Sequence, residues 1–153
     1  MASRIATVRN AVVARIEEGW AGSPATVSTI PAPDFESDRS TGRRVFVLMD
    51  GYEDGGPVTR GTDRTLYRVR VYVTELYTAA GSVTDAWLDA RLDWAKTEVW
   101  DKLNDPRAPL TLTGPGGLAV AEAAEPPLLY DPDALRSDKR FVSVFVFTFR
   151  VES

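Results

Sequence analysis

Arg140-Phe-Val-Ser-Val-Phe-Val-Phe-Thr-Phe-Arg150 is the stretch that decides the fold. Phe141, Phe145, Phe147, Phe149 and Val151 share one parity, with Ser143 among them. Val142, Val144 and Val146 share the other, until Thr148 and Arg150. Alternation of period two in β-branched and aromatic residues specifies a strand. A strand that is apolar on both faces is central and covered on both sides. The rest of the chain must supply its neighbours and its cover.

Neighbouring strands are read the same way. Leu66 to Tyr77 alternates strictly: Tyr67, Val69, Val71 and Val73 point one way, Arg68, Arg70, Tyr72 and Thr74 the other. Arg43 to Asp50 is a second candidate, and the two suit an antiparallel hairpin. Between them, Asp50-Gly51 and Glu53 to Thr62 read as a long exposed connection. Ala25 to Ile30 is a short strand, and Asp34 to Gly42 a polar loop. Leu110 to Thr113 and Leu118 to Ala121 suit a small hairpin about Gly114-Pro115-Gly116-Gly117. Glu125 to Lys139 reads as a proline- and acid-containing connection.

Two helices supply the cover. Ser3 can cap the first, and Ile5, Val8, Val12, Ile16 and Trp20 form one apolar stripe, stopped at Gly22-Ser23-Pro24. Its polar faces carry both signs of charge, which favours packing on a core over lying on a membrane. Ser82, with Asp85 three residues on, opens the second. Leu88, Leu92, Ala95, Val99 and Leu103 form its buried stripe, flanked by Trp87, Trp94 and Trp100, and Asn104-Asp105-Pro106 ends it. The order predicts one α+β domain over residues 1–153: a mostly antiparallel sheet with an N-terminal and a central helix packed on one face. The tryptophan-rich helix and the doubly apolar strand present more apolar surface than one sheet face hides. A second copy of the chain is expected against it; the alternative is a sheet curled upon itself.

The composition removes whole classes of chemistry. There is no cysteine and no histidine. Disulfides, thiolate nucleophiles, zinc knuckles and Ser-His-Asp triads cannot be built within the chain. Asp50-Gly51-Tyr52-Glu53-Asp54-Gly55 starts like a calcium loop but has Tyr52 at its third position and Gly61 at its twelfth, where glutamate is needed. Gly114 to Gly117 lacks the lysine and hydroxyl residue of a phosphate loop, since Leu118 and Ala119 follow. The carboxylate pairs Asp34/Glu36, Glu53/Asp54 and Asp131/Asp133 sit beside proline or glycine, where turn-making explains them. No enzyme activity, metal or cofactor is expected. Arg4, Arg9 and Arg15 interrupt any secretory leader, and no stretch approaches the roughly 18 apolar residues of a membrane span.

The formal charge is −4, with both signs interspersed, which argues against a dedicated nucleic-acid binder. Arginine is the clustered type: Arg39, Arg43, Arg44, Arg60, Arg64, Arg68 and Arg70 fall on the hairpin strands and their flanks. In register they would make a basic strip able to meet phosphates. Asp50, Glu53, Asp54 and Asp63 lie among them, so cross-strand ion pairs or subunit contacts are the simpler reading.

Three features together resemble the tail-terminator and head–tail joining proteins of long-tailed bacteriophages and phage-like particles. They are the amphipathic helix Arg4 to Trp20, the arginine-bearing strand Leu66 to Thr74 followed by the acidic helix Ser82 to Leu103, and the terminal strand Arg140 to Arg150. The resemblance spans nearly the whole chain, as order and texture rather than a motif. It implies a virion protein, assembled in the host cytoplasm, that forms a homo-oligomeric ring, usually a hexamer. Such a ring caps the tail tube, meets the head connector, and lets DNA pass through its lumen without sequence readout. Arg43, Arg44, Arg60, Arg64, Arg68, Arg70 and Tyr72 become candidate subunit-interface or lumen residues. The alternatives are a head-side connector or stopper, a tail-tube or baseplate subunit, and a nucleic-acid-binding module.

Overall fold

The structure, a computed structural model, describes residues 3–22, 24–29, 42–59, 62–113 and 117–152, with side chains described for all of these but 54–59, 62, 63, 127 and 128. It is the expected α+β fold. The elements run α1 (Arg4–Glu17), β1 (Thr26–Ser28), β2 (Arg44–Thr59), β3 (Thr62–Leu76), α2 (Asp85–Ala95), a π-helical segment Lys96–Trp100, the last turn α3 (Asp101–Leu103), β4 (Leu110–Thr111), β5 (Leu118–Leu128), α4 (Pro132–Asp138) and β6 (Arg140–Glu152). The strands form one sheet in the order β1-β2-β3-β6-β5-β4. Among the described residues only β1 and β2 pair in parallel; the other pairs are antiparallel.

As its sequence requires, β6 lies in the middle, between β3 and β5. Its odd-numbered side chains, Phe141 to Val151, are all buried on the helix-covered face. They continue across the register into Val69, Val71 and Val73 of β3 and Val45 and Val47 of β2. Val8, Val12 and Ile16 of α1, and Ala95, Val99 and Leu103 of the second helix, close the same core. The stripe of α1 is thus a core stripe, although Ile5 stays partly exposed. On the opposite face Val142 and Val144 are also buried, while Val146, Thr148 and Arg150 are only half covered.

Several boundaries differ from expectation, for physical reasons. Ser3 caps α1 as expected, accepting from the Ala6 amide at 3.1 Å. The helix stops at Glu17, three residues short of Trp20, and Gly19 turns the chain with φ +82°. Thr84, not Ser82, caps α2: its hydroxyl accepts from the Trp87 amide at 3.2 Å. The π segment inserts wider turns, so Ala95, Val99 and Leu103, four residues apart, all reach the core. The connection expected between Asp50 and Thr62 is instead two paired strands. Register shifts between Met49 and Gly51, Asp54 and Gly56, and Pro57 and Thr59 absorb the glycines and proline that read as a loop. Likewise β5 extends to Leu128, and α4 occupies much of the expected connection to Lys139. Pro126 and Pro127 fit because, among the described residues, β5 is paired on its outer side only through β4, at Ala119 and Leu118. Ile30, most of the loop from Asp34 and the turn residues Gly114 to Gly116 lie outside the described residues.

Candidate interface surfaces

Strand alternation sorts the clustered arginines. On β3, Arg64, Arg68, Arg70 and Tyr72 share the face away from α1 and α2, and Arg44 of β2 joins them opposite Thr74. Arg43, one residue earlier, turns to the helix side. Arg39 and Arg60 lie outside the described residues. The strip is not bare positive charge. Arg70 pairs with Asp50 at 3.3 Å, and Arg68 meets Glu53 at 4.0 Å. Beside them Arg150 contacts Glu122 at 3.5 Å and Glu152 at 3.4 Å. A hydrogen bond with Tyr72, and then the charge of Asp50, raise the pKa of Arg70 further. Arg44 stacks over Phe46, its guanidinium carbon 5.0 Å from the ring centre. The surface is a mixed-sign face of the kind the hairpin sequence suggested. Glu122 and Glu152 escaped that reading because they lie far away in sequence.

Arg43 belongs to a second construction. Its Nε donates to Glu75 Oε1 at 2.8 Å, while Arg91 donates from Nε and Nη2 to Oε2 at 3.0 and 2.7 Å. Each guanidinium also lies 4.5 Å from an indole centre, Arg43 over Trp94 and Arg91 over Trp87. Trp87 meets Tyr77 edge-on at 5.1 Å, and Trp94 packs on Trp20 at 5.8 Å. Trp20 donates to Glu98 Oε2 at 2.8 Å and lies beneath the Lys102 ammonium. Lys102 pairs with Glu98 at 2.7 Å and donates to the Ile16 and Glu18 carbonyls, closing the end of α1. The Lys102 hydrogen bond, helped by Trp20, lowers the Glu98 pKa below its ordinary value against the opposing effect of burial. Trp100 rests on Phe145 and Phe147 at 5.6 and 5.8 Å. The tryptophans that called for a second copy therefore find much of their cover within the chain.

A third feature was not legible in the sequence. Between the second helix and the sheet lies a largely apolar cavity of about 300 Å³, lined by Leu92, Ala95, Trp100, Pro126, Leu129 and Phe145 together with the charged residues Asp93 and Lys96. Ser143 lines it, and its fully buried Oγ has no hydrogen-bond partner among the described residues. In the sequence Ser143 was only the small member of an aromatic row.

The carboxylates that could suggest chemistry are engaged structurally. Asp131 caps α4, accepting from the Asp133 and Ala134 amides, and Asp133 pairs with Arg136. Asp34 and Glu36 lie outside the described residues. Among the described residues no three acidic side chains come together as a metal site would require.

No family model matches the chain, and no curated protein does. Among solved structures it is similar to a chain in the virion of a native gene transfer agent particle. The two are 15% identical with a TM-score of 0.52, over 99% of this chain and 100% of the other. At that identity the likeness is one of fold, and it runs from end to end.

Proposed function

We propose that this chain is a structural subunit of a phage-like virion, acting in assembly rather than catalysis. The observation that carries the reading is the end-to-end likeness of fold to a chain of a gene transfer agent virion. Function taken from fold is analogy, and two features of the chain itself support it. One is the mixed-sign strip of Arg44, Arg64, Arg68 and Arg70 with Asp50 and Glu53 on a sheet face. The other is a largely apolar cavity beside the second helix.

Within the particle, the role proposed is that of a tail terminator. Copies form a closed ring, six in the resembled family, between the tail tube and the head connector. A single chain closes a ring through heterologous contacts, in which one patch of each copy meets a different patch of the next. A lumen face carrying arginine and carboxylate together suits passage of DNA: bare arginine would hold phosphates strongly, whereas paired arginine holds them weakly.

The test is direct. Purified protein, alone and mixed with tail tubes, is examined by negative-stain microscopy. Rings, or density capping one tube end, are the expected result. Chains that stay monomeric and neither cap tubes nor join heads would reject the reading.

A further inference from the structure

We infer that the acidic outer face of α2 in one copy receives Arg64 and Arg68 of the next, an ion-pair joint repeated around the assembly; the inference rests on the assembly reading above. Asp85, Asp89 and Asp93 recur every four residues, so they stand in one row on α2. All three are exposed, with the small Ala86 and Ala90 exposed beside them. Among the described residues none of the three carboxylates has an ion-pair or hydrogen-bond partner. The basic residues of the second helix are engaged elsewhere, Arg91 with Glu75 at 2.7 Å and Lys96 with Asp101 at 3.1 Å. Like charges one turn apart repel and weaken the isolated helix, and a cationic neighbour relieves that repulsion.

The matching charges lie on the same chain. On β3, Arg64, Leu66 and Arg68 share the face away from the helices. Arg64 has no ion pair among the described residues, and its buried Nε has no acceptor. Arg68 is half exposed and reaches Glu53 only at 4.0 Å. Arg70 and Arg150 are held more closely by their own sheet, at 3.3 Å from Asp50 and at 3.5 and 3.4 Å from Glu122 and Glu152. Spacing agrees as well as sign. Arg64 and Arg68 stand about 13 Å apart along a strand. Asp85 and Asp93 stand about 12 Å apart along a helix. With Leu66 between the arginines and only alanines beside the acids, the two faces can approach closely.

A chain cannot make this contact with itself, because α2 covers one face of the sheet and the arginines lie on the other. The two patches are different, as a head-to-tail joint requires. Other exposed cations suit the row less well, since Arg107 meets Asp105 at 3.7 Å and Arg136 meets Asp133 at 3.0 Å. Exposed charge pairs set register and the rate of encounter more than raw affinity, and they weaken with salt. Arg70 and Arg150, paired within the chain, are left for the lumen.

The joint is tested by exchanging its charges. One variant carries Asp89→Lys and Asp93→Lys, the other Arg64→Glu and Arg68→Glu, and circular dichroism checks that both are folded. Alone, each presents like charge on both patches and should self-associate about tenfold or more weakly than wild type, by mass photometry. An equimolar mixture should regain rings, because the two variants then alternate and opposite charges meet at every joint of an even-membered ring. Asp89→Asn with Asp93→Asn should flatten the salt dependence of association. Arg68→Glu alone, at an exposed site, stands in for the arginine variant if that one misfolds. Rings that form normally from either charge variant alone overturn the joint and leave the assembly reading standing. A mixture of two folded variants that stays dissociated, or an unchanged salt dependence in the asparagine variant, overturns it too. Wild-type protein that stays monomeric, alone and with tail tubes, overturns both.

Discussion

Glu98 shows how one side chain ties two helices. Its carboxylate takes the Lys102 ammonium and the Trp20 indole N–H, so it links the second helix to the segment that follows α1. Its folded pKa is lowered below 4.5, chiefly by the Lys102 hydrogen bond. The carboxylate therefore contributes stability that is fully present above its unfolded value and is lost as pH falls through the folded one. Thermal melts should show the wild type losing stability on acidification below about pH 4.5 more steeply than Glu98→Gln, which carries no such proton linkage. An equal loss in both would remove Glu98 as the cause. Ser143 is the opposite case, a buried hydroxyl that the isolated chain does not use. Ser143→Ala should leave the isolated chain's stability within about 1 kcal/mol of wild type, or raise it, in denaturant titration. A loss of several kcal/mol would mean that the hydroxyl is bonded after all.

At the scale of elements, legibility followed periodicity. The alternation of Phe141 to Val151 and of Tyr67 to Thr74 fixed two central strands and assigned Arg68, Arg70 and Tyr72 to one face. It also separated Arg43 from Arg44, since neighbours on a strand point apart. What stayed hidden was strand that runs through turn-type residues. Gly55-Gly56-Pro57 and Pro126-Pro127 read as loops because glycine and proline weaken sheets. Bulges and an open outer edge accommodate them here, and neither is written in local composition. The cap was hidden by redundancy, for Ser82 and Thr84 both suit an N-cap and only the backbone selects between them. Thr84→Ala should cost about 1 kcal/mol, while Ser82→Ala should cost nearly nothing, by chemical denaturation. The reverse order would move the start of α2 back to Ser82.

For the whole molecule, the candidate surfaces were half legible. The mixed-sign strip was visible because its hairpin acids lie close in sequence. The cavity was not, because it joins the second helix, the end of β5 and the middle of β6. Ion pairing across the strip sets an expectation for nucleic acid: retention on DNA should be weak, with a shallow dependence on salt compared with a bare basic face of equal arginine count. Asp50→Asn together with Glu53→Gln should raise retention and steepen that dependence, measured on a DNA column. Unchanged retention would mean that the strip does not face DNA under those conditions. Trp20 and Trp94 carry one more consequence. Their rings are 5.8 Å apart and tilted by 41°, one from the segment after α1 and one from α2. Two indoles so placed couple their electronic transitions and give a paired positive and negative band in far-ultraviolet circular dichroism. The band belongs to the docked arrangement alone, so the chain carries its own optical gauge of whether the N-terminal helix is seated.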